Sequence, residues 1–113
     1  MMEAMAMGLP TISTNFSGVL DFMNEENSYL IKVEEMVTPK DKTLYKYEDM
    51  LWANPSVQHL KEIMRSVFEK RGEARKKGLI AREQIVKNYN ESRISGLIVE
   101  RLKQISMDLL NVK

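Results

Sequence analysis

The chain has 113 residues, a formal net charge of +1 and no cysteine. That length allows one domain or part of one, and the lack of cysteine excludes disulfides, thiolate nucleophiles and cysteine-ligated metal sites. The near-neutral charge gives no general attraction to nucleic acid, and the lack of a signal peptide or a long apolar run predicts a cytoplasmic protein without a membrane span.

The first part of the chain, residues 1–35, is predicted to hold short strands and loops. Met1–Met7 is rich in helix-forming residues, and Gly8 predicts the end of that helix. Thr11–Thr14 and Ser28–Val33 combine β-branched and aromatic residues, which favours strands. The chain is therefore expected to begin with a helix end that leads into a sheet.

Turn and loop signals separate and follow these strands. Asn24–Asn27 predicts a turn before the second strand, and Gly18 suits a tight backbone turn after the first. Val19–Met23 is long enough for one short helical turn. Met36–Met50 is polar, contains a proline and alternates in charge, so we expect a surface loop there.

The second part, residues 54–112, is predicted to be helical. Asn54 as N-cap and Pro55 at the first helical position favour a helix start there. Gly72 favours the end of the same helix. Apolar residues recur along one face at helical spacing, namely Val57, Leu60, Met64, Val67 and Phe68.

Two further helices are predicted, one over residues 73–89 and one from Asn90 onward. The apolar residues of the first are Ile85, Val86 and Tyr89, and those of the second are Ile94, Leu97, Ile98, Leu102, Ile105 and Leu109. Short strands followed by three helices predict the α/β class. The two predicted strands are fewer than a stable sheet usually contains.

Two places in the strand part offer ligand chemistry. The carboxylate of Glu3 can accept hydrogen bonds from both hydroxyls of a ribose, as the acidic residue of dinucleotide-binding folds does, although a solvated surface glutamate is the simpler interpretation. The loop that holds Thr14, Ser17 and Gly18 follows a strand, where open α/β sheets place their ligand crevice. A plain connecting turn has the same composition, and no glycine-rich phosphate motif is present.

The remaining candidates favour structural roles. The basic run Lys70–Lys77 has no interleaved aromatic residues, so a solvated helix face explains it better than a nucleic-acid site. His59 is the one histidine of the chain, which excludes a histidine metal cluster and predicts a surface or packing role. Trp52 precedes the predicted helix and is more typical of a packing anchor than of a stacking platform. No metal site is predicted.

The segment Glu3–Ile31 also carries a family pattern. The pattern begins with an E-A-M-A helix end (Glu3 to Ala6), a glycine (Gly8) and a proline (Pro10). It continues with a short strand (Ile12 to Thr14), a glycine loop (Gly18), an acidic residue (Asp21) and a turn into a second strand (Asn27 to Ile31). This pattern resembles the C-terminal domain of group-one (family four) retaining glycosyltransferases of the GT-B fold. The helical part from Trp52 onward resembles the same family less specifically. Ser17 departs from the pattern, because a second glycine is common at that point.

The resemblance implies a partial, Rossmann-like GT-B domain over residues 1–113, with few parallel strands followed by three C-terminal helices. In that family the second of two donor-site glutamates holds the ribose hydroxyls, and it corresponds to Glu3. The loop Thr14–Gly18 corresponds to a donor-site loop. The first glutamate, the diphosphate-facing helix start and the acceptor domain would precede Met1. We therefore assign no catalytic residue, and expect the isolated chain to be inactive and to bind nucleotide weakly.

The implied reaction transfers a sugar from a UDP- or GDP-sugar to a glycan or another acceptor, with retention at the anomeric carbon and without a cofactor or a metal. The resemblance leaves the sugar, the base and the acceptor open. The alternative is a non-catalytic α/β-helical interaction module that self-associates. An exposed strand edge and amphipathic helices offer surfaces for such a homo-oligomer.

Overall fold

The computed structural model describes residues 1–38 and 50–111. Within them the element order is α1 (Met2–Ala6), β1 (Ile12–Thr14), a 3-10 helix (Ser17–Asp21), β2 (Tyr29–Ile31), β3 (Val33–Val37), β4 (Trp52–Pro55), α2 (Val57–Glu69), α3 (Arg71–Asn88) and α4 (Glu91–Asn111). The expected mixture of strands and helices is confirmed. Most of the predicted loop Met36–Met50 lies outside the described residues, and its first two residues belong to β3.

Helix α1 ends in a Schellman motif centred on Gly8. The Gly8 N–H donates to the Met5 carbonyl at 2.9 Å, and the Leu9 N–H donates to the Ala4 carbonyl at 3.1 Å. Gly8 has a φ of +74°, a conformation that glycine adopts without steric cost. The predicted helix end is confirmed, and it turns the chain into β1.

Strands β1 and β2 form the predicted parallel pair. Ile12 lies opposite Tyr29, and Thr14 lies opposite Ile31. The predicted single strand Ser28–Val33, however, is broken at Lys32. The Lys32 N–H donates to His59 Nδ1 at 3.0 Å, and the Lys32 carbonyl accepts from the Ser56 N–H at 2.9 Å. Because both backbone groups of Lys32 bond to the start of α2, they cannot continue the strand ladder.

Strands β3 and β4 form an antiparallel ribbon that the sequence did not predict. Pro55 lies opposite Val33 and Asn54 lies opposite Glu35, so the prediction of a helix start at these two residues is wrong. Proline is tolerated here because β4 is an edge strand. Helix α2 begins at Val57, and the Ser56 hydroxyl caps it by accepting from the His59 N–H at 3.3 Å.

The boundary between α2 and α3 also differs from the expectation. The break falls at Lys70, which has φ −107° and ψ 54°, whereas Gly72 lies inside the first turn of α3. Gly72 therefore does not end the helix. The start of α4 at Glu91 matches the prediction, and the Asn90 side chain accepts from the Arg93 N–H at 2.9 Å as an N-cap would.

The core lies between α1, α3 and the turn before β2. Met5, Met23, Ala81 and Ile85 are buried there in one cluster. The backbone of α3 approaches the end of α1 closely at Gly78, where a Cβ atom would lie 2.2 Å from the Gly8 carbonyl oxygen. The small residue at this point allows the two helices to pack.

A buried amide, Asn27, fixes the turn before β2. Its Oδ1 accepts from the Asn24 N–H at 2.8 Å, and its Nδ2 donates to the Phe22 carbonyl at 2.9 Å and to Gln84 Oε1 at 2.6 Å. The side chain is fully buried. Asn27 therefore joins the turn to α3 through hydrogen bonds of a buried side chain.

Two predicted apolar faces are only partly buried. On α2, Ile63 is the buried residue, and Val57, Met64 and Phe68 of the predicted apolar face are exposed. On α4, Ile94 is half-buried and the other described side chains are exposed. In residues 1–38 and 50–111, no helix combines the length and apolar character that a membrane crossing needs.

Candidate functional site

A surface cleft of about 500 Å³ opens at the carboxyl end of β1. Its walls come from the end of β1, the loop that follows and the start of β4, through Ser13, Thr14, Phe16, Ser17, Val19, Leu51, Trp52 and Ala53. The size falls in the range of small-molecule sites. Its position at the end of a parallel strand is where open α/β sheets bind ligands.

The loop after β1 is shaped by backbone hydrogen bonds and one strained residue. The Asn15 N–H donates to the Ile31 carbonyl at 2.9 Å, and the Phe16 N–H donates to the Thr14 carbonyl at 2.8 Å. Ser17 has a φ of +64°, the only positive value among the described non-glycine residues. The tight turn was expected at Gly18, which has no positive φ. The residue with the left-handed backbone is therefore Ser17, one residue earlier than expected. Its side chain lines the cleft.

Among the described residues, two aromatic side chains border this cleft. Phe16 is 42% exposed and Trp52 is 44% exposed. The sequence places Trp52 at a helix entrance, whereas in the structure it lies at the start of β4, opposite Val37. Its approach to the loop after β1 depends on the β3–β4 ribbon. The pattern of β-branched and apolar residues in Val33–Val37 was the one sequence signal for that ribbon.

The part of the cleft lining that the structure describes carries no charge. Among its lining residues in the described part of the chain, none carries a charged side chain, and its polar groups are the hydroxyls of Ser13, Thr14 and Ser17. Such a surface can offer hydrogen bonds to an uncharged ligand. The described lining residues supply no cation for a phosphate and no acid–base pair for catalysis.

Glu3 lies in the first turn of α1 and does not line this cleft. Its side chain is 91% exposed, and its Oε2 lies 3.1 Å from the terminal amine of Met1. The pKa of Glu3 is lowered by a hydrogen bond from its own backbone N–H, and further by the hydrogen bond and the charge of that amine. The carboxylate is therefore ionised at neutral pH and accessible to a ligand.

The residues for which structural roles were favoured have defined contacts. His59 Nδ1 accepts a hydrogen bond from the Lys32 N–H, which connects Lys32 to α2. In the basic run, Lys77 donates to the carbonyls of Glu25 and Ser28, and its ammonium lies 4.9 Å from the centre of the Tyr29 ring. Burial, followed by the negative charge of Glu73, raises the pKa of Tyr29. Lys77 therefore has a packing role at the turn before β2, whereas the other charged residues of the run are exposed.

The described ranges contain no group of three or more histidine, cysteine, aspartate or glutamate residues arranged to hold a metal ion. Thr14 and Ser17 of the predicted site meet at the cleft, and Gly18 and Glu3 lie outside its lining. Comparisons with protein-family models, with curated proteins and with solved structures gave no match.

Proposed function

We propose that this chain forms part of the donor-nucleotide side of a retaining, nucleotide-sugar-dependent glycosyltransferase of the GT-B fold. The observation that supports it is the cleft at the carboxyl end of β1, bordered by the loop Thr14–Gly18. This loop belongs to the segment Glu3–Ile31, which carries the family pattern. Open α/β sheets bind nucleotides at such strand ends.

In this proposal the chain binds the donor and does not perform the chemistry alone. The exposed Glu3 carboxylate accepts hydrogen bonds from the ribose hydroxyls of a UDP- or GDP-sugar. The parent enzyme transfers the sugar to a glycan or another acceptor with retention, in the cytoplasm and without a metal or cofactor. Stabilising the departing diphosphate needs cations or helix N-termini, and the cleft-lining residues within 1–38 and 50–111 provide none. The isolated chain should therefore show no transferase activity.

Nuclear magnetic resonance tests the role of Glu3. We expect UDP or GDP to shift the amide signals of Glu3 and its neighbours with a Kd of about 1 mM, because one exposed carboxylate offers few contacts. The 2′-deoxy forms of the same nucleotides lack one of the two hydroxyls and should shift these signals much less. Glu3→Gln should remove the difference between ribose and deoxyribose.

The matched control is Glu100→Gln, which removes a carboxylate from the exposed surface of α4 and should leave the titration unchanged. Equal shifts with ribose and deoxyribose nucleotides would contradict the assignment of Glu3. A micromolar Kd would contradict the expectation that the chain lacks most of the donor site.

The second candidate function is self-association as a non-catalytic module. In the described part of the chain β1 pairs only with β2, which leaves its other edge unpaired. Beside β1 lies an apolar groove of about 490 Å³, lined by Pro10, Ile12, Met64, Val67, Phe68, Arg71, Ala74 and Arg75. Unpaired strand edges next to apolar surface are sites of pairing between chains.

If this groove holds a second copy, Phe68→Glu should weaken the dimer about 30-fold, as removal of a central apolar contact does. Phe68 is 68% exposed, so the fold should tolerate the change. Sedimentation equilibrium measures the dissociation constant. Leu79→Glu is the matched control, since Leu79 is also exposed and lines a different cleft on α3. A monomer at all concentrations would exclude this candidate.

A further inference from the structure

We propose that α4 packs antiparallel against α4 of a second copy of this chain. The contact forms along an apolar seam of the helix, with an arginine of each copy beside an aspartate of the other. This inference goes beyond the proposed function and does not rest on it. It also concerns a different surface from the groove beside β1, whose described lining residues lie outside α4.

Helix α4 is exposed along its length within the described part of the chain. Among residues 91–110, Ile94 alone is half-buried and the other side chains are exposed. Large apolar side chains are among them, from Leu97 near the start of the helix to Leu110 at its end. Contiguous apolar surface of this kind marks a site of contact with another protein.

The composition of α4 also indicates that this helix needs a partner. Ile94, Ile98, Val99 and Ile105 are β-branched, and Gly96 lies inside the helix. These residues lower the intrinsic helix propensity. Most helical stability in proteins comes from the packing of an apolar face, and a second helix along α4 would supply that packing.

Four exposed residues of α4 form one seam, namely Ile98, Leu102, Ile105 and Leu109. They follow one another at intervals of four, three and four residues. This alternation keeps them on one stripe of the helix, and it is the spacing at which two helices interlock their side chains. A second copy offers a seam of the same length and spacing, so the two surfaces match.

Charges beside the seam select the antiparallel arrangement. Arg101 and Asp108 lie seven residues apart on the same flank of the seam. When two antiparallel copies pack with Leu102 of each opposite Ile105 of the other, this flank meets the same flank of the second copy. Arg101 of each copy then lies beside Asp108 of the other. Asp108 Oδ1 accepts from Gln104 Nε2 at 2.9 Å, and a carboxylate can accept further hydrogen bonds from arginine.

The parallel arrangement offers Arg101 no carboxylate. There the flank of Arg101 meets the other flank of the second copy, where Val99 and Ser106 lie. The antiparallel dimer instead contains two pairs of opposite charge. Electrostatic complementarity therefore favours the antiparallel register.

Sedimentation equilibrium tests the dimer. We expect Leu102→Glu to weaken it at least about 30-fold, because the change places a charge in the centre of the seam twice per dimer. Leu102 is exposed, so the fold should tolerate the change. Met107→Glu is the matched control, since Met107 is exposed on the opposite face of α4 and its change should leave the dissociation constant as it is.

Charge variants test the register without altering the apolar seam. Arg101→Asp and Asp108→Arg should each weaken the dimer about tenfold, because each places two pairs of like charge beside the seam. An equimolar mixture of the two variants should recover the original affinity, since each mixed dimer holds two pairs of opposite charge. The parallel dimer does not predict this recovery.

Spin labels measure the direction of the two helices. The chain contains no cysteine, so a single introduced cysteine carries one label per copy. In the antiparallel dimer the labels of Lys103→Cys lie next to the twofold axis, whereas those of Arg93→Cys are separated by about 30 Å along the helix axis. A parallel dimer gives similar, short separations for both. Double electron–electron resonance measures the two distances.

The proposal is overturned if the chain is monomeric at all concentrations, or if Leu102→Glu leaves the dimer intact. It is also overturned if the mixed charge variants do not recover affinity, or if the spin labels show parallel helices. A dimer that Phe68→Glu dissociates and Leu102→Glu does not would assign self-association to the groove beside β1. These measurements involve no nucleotide, so their failure is distinguishable from that of the proposed function, which is read from Glu3.

Discussion

Gly78→Ala is expected to lower the free energy of unfolding by about 3 kcal/mol, at the upper end of the usual cost of overpacking. The new Cβ atom would lie 2.2 Å from the Gly8 carbonyl oxygen and 2.9 Å from the Gly8 carbonyl carbon. Gly8 cannot move aside easily, because it forms the Schellman motif that ends α1. Urea unfolding followed by circular dichroism measures the effect.

Gly96→Ala is the matched control for this substitution. Gly96 lies inside α4, and a Cβ atom there would meet no atom within 4 Å. Alanine in such an open helical position should stabilise by roughly 0.5–1 kcal/mol. The close approach of α3 to α1 would be contradicted if both glycine variants raised the free energy of unfolding.

Asn27→Ala is expected to cost about 3 kcal/mol, because it removes a fully buried amide together with its three side-chain hydrogen bonds. The groups that lose a bond are the Asn24 N–H, the Phe22 carbonyl and Gln84 Oε1. Since the turn before β2 depends on these bonds, the parallel pair should also lose protection in amide hydrogen exchange.

A double-mutant cycle apportions this cost. The free energy of unfolding is measured for Gln84→Ala, for Asn27→Ala and for the double variant, which gives the coupling energy between the two side-chain amides. For contacting residues this coupling energy should be about 1 kcal/mol or more. Asn27→Asp keeps the acceptor for the Asn24 N–H and removes the two donated bonds. Additive effects of Asn27 and Gln84 would show that their 2.6 Å hydrogen bond contributes little.

The sequence predicted well the features that neighbouring residues determine. Gly8 ends a helix because its own backbone can adopt a positive φ, and β-branched residues favour the strands near Ile12 and Ile31. The start of α4 after Asn90 follows from a local cap. These preferences operate within a few residues, so they are readable without knowledge of the rest of the chain.

The sequence could not predict features that depend on distant partners. Asn54 and Pro55 have the composition of a helix start, yet pairing with β3 makes them a strand and leaves the capping role to Ser56. The importance of Gly78 was equally hidden, because it comes from the backbone of Gly8 seventy residues earlier in the chain.

One part of the candidate site was predictable from the local sequence, and the other part depended on contacts between distant residues. The placement of Thr14 and Ser17 at a cleft followed from the rule that ligands bind at the ends of parallel strands. Trp52 joined them because the β3–β4 ribbon brings the start of β4 to the loop after β1. The sequence by itself determined the end of α1 at Gly8, the start of α4 after Asn90, the parallel strands and the loop that holds Thr14 and Ser17, through local backbone preferences. The tertiary structure alone decided that Trp52 lies beside that loop, because strand pairing depends on contacts between residues far apart in the chain.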